Sequence, residues 1–248
     1  EDLIKVAAER SLKEATKYTV QEPCYSNFIN EFEFQDTEDQ ANVTSELLFD
    51  LNSGLPMDRL ICGDVGFGKT EVALRGAFNV AMSGAQVAFI VPTTLLCSQH
   101  YENFTKRFKN FPLKVDQISR LNSTSENNKI IERINSGESD VVVGTHALLN
   151  SKIKFKKLGM LIIDEEQHFG VSQKEKIKSL RSNVHVLALT ATPIPRTLQM
   201  SLVGLRDLSI ISTAPLNRQN INTEVIDFND EKIISAIEYE LSRNGQVY

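Results

Sequence analysis

The residues best suited to chemistry fall in one short run. Gly63-Asp64-Val65-Gly66-Phe67-Gly68-Lys69-Thr70 has the spacing G-x-x-x-x-G-K-[ST]. Glycines there let backbone N–H groups close around phosphates at a helix N-terminus, Lys69 neutralises their charge, and the Thr70 hydroxyl suits Mg2+. The apolar run Leu60-Ile61-Cys62 precedes it and a helical pattern follows, which is the context the motif needs; the competing reading is an incidental strand–Gly–helix turn. A second group is Leu161-Ile162-Ile163-Asp164-Glu165-Glu166-Gln167, an apolar strand ending in three carboxylates. Beside a phosphate loop, Asp164 is placed to hold the metal and Glu165 to act as the base that orients water. Alone it reads equally well as a solvated acidic loop. The guanine-reading pattern N-K-x-D fails at its fourth position in Asn128-Lys129-Ile130-Ile131, so the expected nucleotide is ATP.

Further hydroxyl and amide residues stand at the ends of other segments. Phe34-Gln35-Asp36-Thr37-Glu38-Asp39-Gln40 lies upstream of the loop, and Thr37 with Gln40 also has capping-box spacing for a helix running to about residue 51. Pro92-Thr93-Thr94 follows a strand, where Thr is equally a helix N-cap. Gly144-Thr145-His146 and Thr190-Ala191-Thr192-Pro193 also close strands.

The elements that must position these groups alternate. Apolar strands are read over 59–62, 86–91, 114–118, 140–143, 160–164 and 185–189, and helices over 69–82, 95–108, 126–135, 173–180 and 196–202. Strands apolar on both faces, separated by helix-length crossovers, imply a parallel sheet with helices on both faces. In such sheets ligands bind beyond the carboxyl ends of the strands, where these motifs fall. Residues 2–17 read as an amphipathic helix. Residues 223–228, a helix over about 230–243 and residues 246–248 read as the opening of another α/β unit, and the chain reads as an excised piece of a longer one. Among 248 residues, 41% are hydrophobic and 24% charged, which excludes a disordered chain, and no run approaches the ~20 apolar residues of a membrane span. Three scattered cysteines give neither a disulfide framework nor a zinc site, so a reducing, cytoplasmic location is expected. The net charge of −5 opposes nonspecific nucleic-acid binding, but residues 22–50 hold eight acids and no Lys or Arg; residues 51–248 hold 23 bases against 20 acids. The clusters Lys152, Lys154, Lys156, Lys157 and Lys174, Lys176, Lys178, Arg181 read first as solvated faces.

Together these motifs resemble the first motor domain of a superfamily-two helicase or translocase. Longer runs are similar to one family, the bacterial transcription-repair coupling factors: 57–73, 91–101, 192–198 and 206–211, within a likeness spanning roughly 30–248. The resemblance implies an α/β RecA-like P-loop domain over residues 30–212. A linker or helical segment (1–29) precedes it, and the start of a second RecA-like motor domain (213–248) follows. It implies an ATP hydrolase that moves on double-stranded DNA, displaces stalled RNA polymerase and couples transcription to nucleotide-excision repair. RNA polymerase and the repair damage-recognition protein are met through other domains, and no membrane is involved. By the same likeness Phe34, Thr37 and Gln40 take the adenine, Gly63, Asp64, Val65, Gly66, Phe67, Gly68, Lys69 and Thr70 take the phosphates, and Thr70 with Asp164 takes Mg2+. Thr93, Thr94, Gln99, Arg120, Thr145 and His146 face DNA, while Gln167, Thr190 and Thr192 couple the two sites. Without the arginine of a second domain, this chain alone is expected to turn over ATP barely. The alternatives are a fork-reversing branch-migration helicase and a nucleotide-gated binding module without motor action, against which Glu165 argues.

Overall fold

A strand apolar at every position is stable only between two covering layers. The computed structural model has that arrangement over the described residues, 13–180, 184–192, 206–215 and 223–247. Strands β1 (Asp58–Gly63), β2 (Gln86–Ile90), β3 (Val115–Ile118), β4 (Val141–Gly144), β5 (Leu158–Asp164), β6 (His185–Thr190) and β7 (Asp207–Ile211) form one sheet in the order β3-β4-β2-β5-β6-β1-β7. Every pairing is parallel. Successive side chains divide between the faces. Val87, Phe89, Val141, Val143, Met160 and Ile162 pack with helices α1 (Cys24–Asn30), α2 (Glu38–Ser53), α3 (Lys69–Met82) and α4 (Thr94–Phe108). Ala88, Ile90, Val142, Leu161 and Ile163 pack with α5 (Thr124–Ser136) and α6 (Val171–Leu180). The expected α/β architecture and its six strands are present.

Two parts differ from expectation. The seventh strand, β7, lies along β1, and its main chain comes so close that a Cβ on Gly63 would meet Ile211 O at 2.9 Å. The first glycine of the phosphate loop is thus required by sheet packing. At the other end, residues 13–17 are not helical. Their main chain bonds outward: Ala15 N donates to Gly54 O (2.8 Å), Tyr18 N to Leu51 O (2.9 Å), His185 Nε2 to Thr16 O (2.9 Å) and Asn79 Nδ2 to Tyr18 O (3.0 Å). The two amides among them, Ala15 N and Tyr18 N, are donors that a helix would have paired internally. Residues 2–12 of that expected helix, the expected helix over 196–202, the run Pro193-Ile194-Pro195-Arg196-Thr197-Leu198, Arg181, Tyr248 and the side chain of Lys178 lie outside the described residues.

Compact units cover Glu1–Leu216 and Asn217–Tyr248. In the second, helix α7 (Asp230–Ser242) forms where a helix was expected, with Asn229 as N-cap accepting from Lys232 N at 3.1 Å. Residues 223–228 and 246–247 do not adopt strand structure. No helix among the described residues is long and apolar enough to cross a membrane.

Helix α1 belongs to the core of the first unit. Phe28 is fully buried and stacks on Phe78 at 4.2 Å and 6°. Phe28→Ala is expected to lower the unfolding free energy by about 3–5 kcal/mol, whereas Phe49→Ala, at a side chain 75% exposed, is expected to change it by less than about 0.5 kcal/mol. Urea denaturation of both variants checks this pair of values.

Candidate functional site

The sheet order brings distant motifs to one edge. β5, β6 and β1 are consecutive neighbours, so the ends carrying Asp164, Thr190 and Gly63 adjoin although up to 127 residues separate them in sequence. Strands lie about 4.8 Å apart, which puts the end of β5 about 10 Å from the phosphate loop. β2, β4 and β3 continue the same edge and end beside Thr93, Thr145 and Arg120.

Within the loop, Gly66 and Gly68 have φ of 81° and 80°, backbone that L side chains rarely adopt, and Gly68 is the N-cap of α3. Lys69 folds back over the turn, its Nζ donating to Gly63 O (2.5 Å) and Asp64 O (3.0 Å). Burial pulls the Lys69 ammonium below its ordinary value, opposed by the carboxylates of Glu165 and Asp164. The ammonium therefore sits in a half-buried, carbonyl-lined cradle near the two carboxylates.

The acidic strand end is knitted to its neighbour. Glu165 adopts the left-handed region (φ 51°), and its amide donates to Leu189 O at 2.9 Å. Its Oε1 accepts from Ala191 N at 2.9 Å and its Oε2 from Gln167 Nε2. Thr190 Oγ1 and Thr192 Oγ1 share a 2.8 Å bond, and Thr190 Oγ1 accepts from Thr192 N. Glu165 and Gln167 thus bond each other, Thr190 and Thr192 bond each other, and the amide of Ala191, between the two threonines, joins the pairs. Asp164 Oδ2 lies 3.2 Å from His100 Nε2. The third carboxylate, Glu166, pairs instead with Arg206 at 3.2 Å, and Arg206 with Asp58 at 2.7 Å, fastening the turn to the start of β1.

The upstream element is held by charge. Thr37 caps α2 in a complete capping box with Gln40, so the short-range reading of that pair is realised. The Gln40 side chain does more: Oε1 accepts from Thr37 N (2.9 Å) while Nε2 donates to Phe67 O (2.9 Å) inside the phosphate loop. Asp36 grips Arg75 of α3 through both oxygens (2.7 and 2.9 Å), Arg75 bonds Glu71 (3.2 Å), and Glu71 takes Arg107 of α4 (2.7 Å). Burial opposes the Arg75 charge, yet Asp36 and Glu71 outweigh it and raise its pKa. Sequence reading missed this network; its signal was Glu71 and Arg75 at i, i+4 inside an otherwise apolar helix. Phe34 is 61% exposed and rests edge-on to Phe32 at 5.5 Å. Beside them, Asp39 accepts from both backbone amides and both hydroxyls of Ser212 and Thr213 (2.8–2.9 Å), and these bonds hold its carboxyl down to about 2.

Along the rest of the edge, Thr93 caps α4, accepting from Leu96 N at 3.2 Å, and is exposed, as are Gln99, Arg120 and His146; Thr94 is half-buried. Thr145 is buried and caps the turn His146–Leu149, which leaves His146 as the outward member of that pair. Among the described residues no group of three or more His, Cys, Asp or Glu side chains could cage a metal. The Thr70 hydroxyl at the start of α3 and the Asp164 carboxylate at the end of β5 are oxygen donors of the kind Mg2+ accepts alongside water and phosphate oxygens.

The DEAD/DEAH box helicase family matches residues 37–201. The chain is 49% identical over 248 residues to the transcription-repair-coupling factor of Bacillus subtilis (strain 168) and 48% over 247 residues to that of Escherichia coli (strain K12). Each match covers 100% of this chain but only 21% and 22% of the relative, so the chain spans about a fifth of the length of these curated relatives. Among solved structures it is similar to RecG bound to a three-way DNA junction, with a TM-score of 0.82 and 32% identity over 99% of this chain and 33% of that one. The Hef helicase domain of Pyrococcus furiosus shares the fold, at a TM-score of 0.53 and 22% identity over 70% of this chain and 37% of that one.

Thr37 and Gln40 act as one unit, and a thermodynamic cycle tests it. Each single substitution by Ala is expected to lower stability by about 1–2 kcal/mol. The double variant is expected to lose less than the sum of the two by at least about 0.5 kcal/mol in urea denaturation.

Proposed function

Because the chain belongs to the DEAD/DEAH box helicase family, we propose that it is the ATP-hydrolysing motor domain of a double-stranded DNA translocase that displaces stalled RNA polymerase and couples transcription to nucleotide-excision repair. The observation that carries this reading is the convergence of Lys69, Asp164 and Glu165 on adjoining strand ends, with exposed Thr93, Gln99, Arg120 and His146 farther along the same edge. The near-half identity to transcription-repair-coupling factors over the whole chain supports the finer assignment.

In this reading, the loop amides and the N-terminus of α3 receive the β- and γ-phosphates. Lys69 leaves the carbonyls of Gly63 and Asp64 for the γ-phosphate. Thr70 and Asp164 hold Mg2+, which supplies charge neutralisation across the phosphates when bound. Glu165 takes the proton of the attacking water and orients it. Because Glu165 also bonds Ala191 N and Gln167, any shift of its carboxylate is felt at Thr190 and Thr192, the coupling residues. Phe34 offers its exposed ring to the adenine, and Gln40, with both ends of its amide engaged, braces the loop beneath the base. Thr93, Thr94, Gln99, Arg120 and His146 meet the DNA backbone, contacts that position a motor without reading sequence.

The likeness to RecG on a DNA junction favours a second reading, a fork-reversing motor. Identity of 49% to the coupling factors against 32% to RecG favours the first. Displacement of a stalled polymerase, assayed beside fork reversal with the full-length protein, separates the two.

Lys69→Ala is expected to abolish ATP hydrolysis in the full-length protein, and Glu165→Gln to bind ATP without turning it over. Wild-type hydrolysis rates in both would remove the site assignment. Phe34→Ala is expected to weaken ATP binding by about 1–3 kcal/mol at unchanged melting temperature; lost stability with intact affinity would make Phe34 structural. The 248-residue chain alone is expected to hydrolyse ATP slowly and with little response to DNA, because an arginine supplied from a second domain is worth about 10³–10⁵ in turnover in related chemistry.

A further inference from the structure

We propose that His100 is a positioning residue that aims the Asp164 carboxylate. The inference rests on the reading of Asp164 as the Mg2+ ligand. The His100 side chain is 9% exposed, with Nε2 3.2 Å from Asp164 Oδ2. Its ring lies against Phe89, centroids 4.6 Å apart at 38°. Its other nitrogen, Nδ1, is buried without a hydrogen-bond partner.

An ionised carboxylate only accepts, so Nε2 carries the proton and donates it to Oδ2. Packing against Phe89 does not need an imidazole: an apolar ring fills such a space and leaves no orphaned nitrogen, whereas a buried unpaired polar atom is destabilising. What the imidazole adds at this position is the Nε2–H bond. The Asp χ2 torsion is soft, and a donor fixed on Oδ2 sets the plane of the carboxylate and leaves Oδ1 outside that bond. Carboxylates that ligate metals are themselves commonly held by such outer bonds. His100 also sits on α4, next to Gln99 and one helix run from the cap Thr93. The helix proposed to meet DNA therefore reaches the cation-holding carboxylate through a single side chain.

Two substitutions separate positioning from packing. His100→Phe keeps a ring against Phe89 and removes the donor, while His100→Gln keeps an N–H near the Nε2 position and removes the ring. The measurement is binding of a fluorescent ATP analogue to the full-length protein as Mg2+ is titrated, with metal-free affinity and melting temperature recorded alongside. His100→Phe is expected to raise the half-saturating Mg2+ concentration about 10–100-fold at unchanged metal-free affinity, and His100→Gln to stay within about threefold of wild type. A wild-type Mg2+ response in His100→Phe, or a response lost in His100→Gln at an unchanged melting temperature, overturns the proposal. If the wild type binds no nucleotide, or Lys69→Ala binds as the wild type does, the nucleotide-site reading falls, and the proposal with it.

Discussion

Asp36, Arg75, Glu71 and Arg107 form the charged seam on which the rest of the site depends. Arg75 is only 3% exposed, and removing such a charge from water is costly unless every donor is met. Here Asp36 and Glu71 meet it, and Arg107 in turn satisfies Glu71, donates to Phe28 O at 3.1 Å and lies 4.1 Å over the Phe28 ring. The seam joins α1, the turn before α2, α3 and α4. Since α3 begins at the phosphate loop and α4 at Thr93, the placement of both motifs answers to these few ion pairs. The acidic stretch 22–50 finds its use here: Asp36 meets Arg75, Glu46 and Asp50 meet Arg59, and Glu33 meets Lys106. It is a complement to bases on β1, α3 and α4.

The second constraint is the strand order. Were β5 and β6 not inserted between β2 and β1, the acidic strand end would not adjoin the phosphate loop. The left-handed Glu165 is tolerable because its amide and both carboxylate oxygens are engaged with β6, Ala191 and Gln167.

The parallel sheet was legible because its strands are runs of Val, Ile and Leu bounded by turns, and the loop because its glycines and Lys69 have one spacing. Strand β7 was not: Asp207-Leu208-Ser209-Ile210-Ile211 is short and mixed, and only the edge offered by β1 makes it a strand. Residues 13–17 misled in the opposite sense, carrying a helical pattern that outward bonds to Gly54, Leu51 and His185 override. Thr37 and Gln40 showed their local cap in sequence, but the reach of Gln40 to Phe67, 27 residues away, depends on how α2 docks. His100 gave no signal, since a lone histidine in a helix becomes informative only when the carboxylate facing it is known.

Asp39 has a mechanical meaning. The chain leaves β7 through Ser212 and Thr213, and four hydrogen bonds tie that exit to one carboxylate. Asp39 is the residue before Gln40, whose amide holds the phosphate loop at Phe67. A pull on the main chain just beyond Thr213 is therefore shared between β7 and the cap of α2, and the cap is hydrogen-bonded to the loop through Gln40. Tension in the strand exit and the shape of the phosphate loop share one anchor point, so a load on the first is a strain on the second.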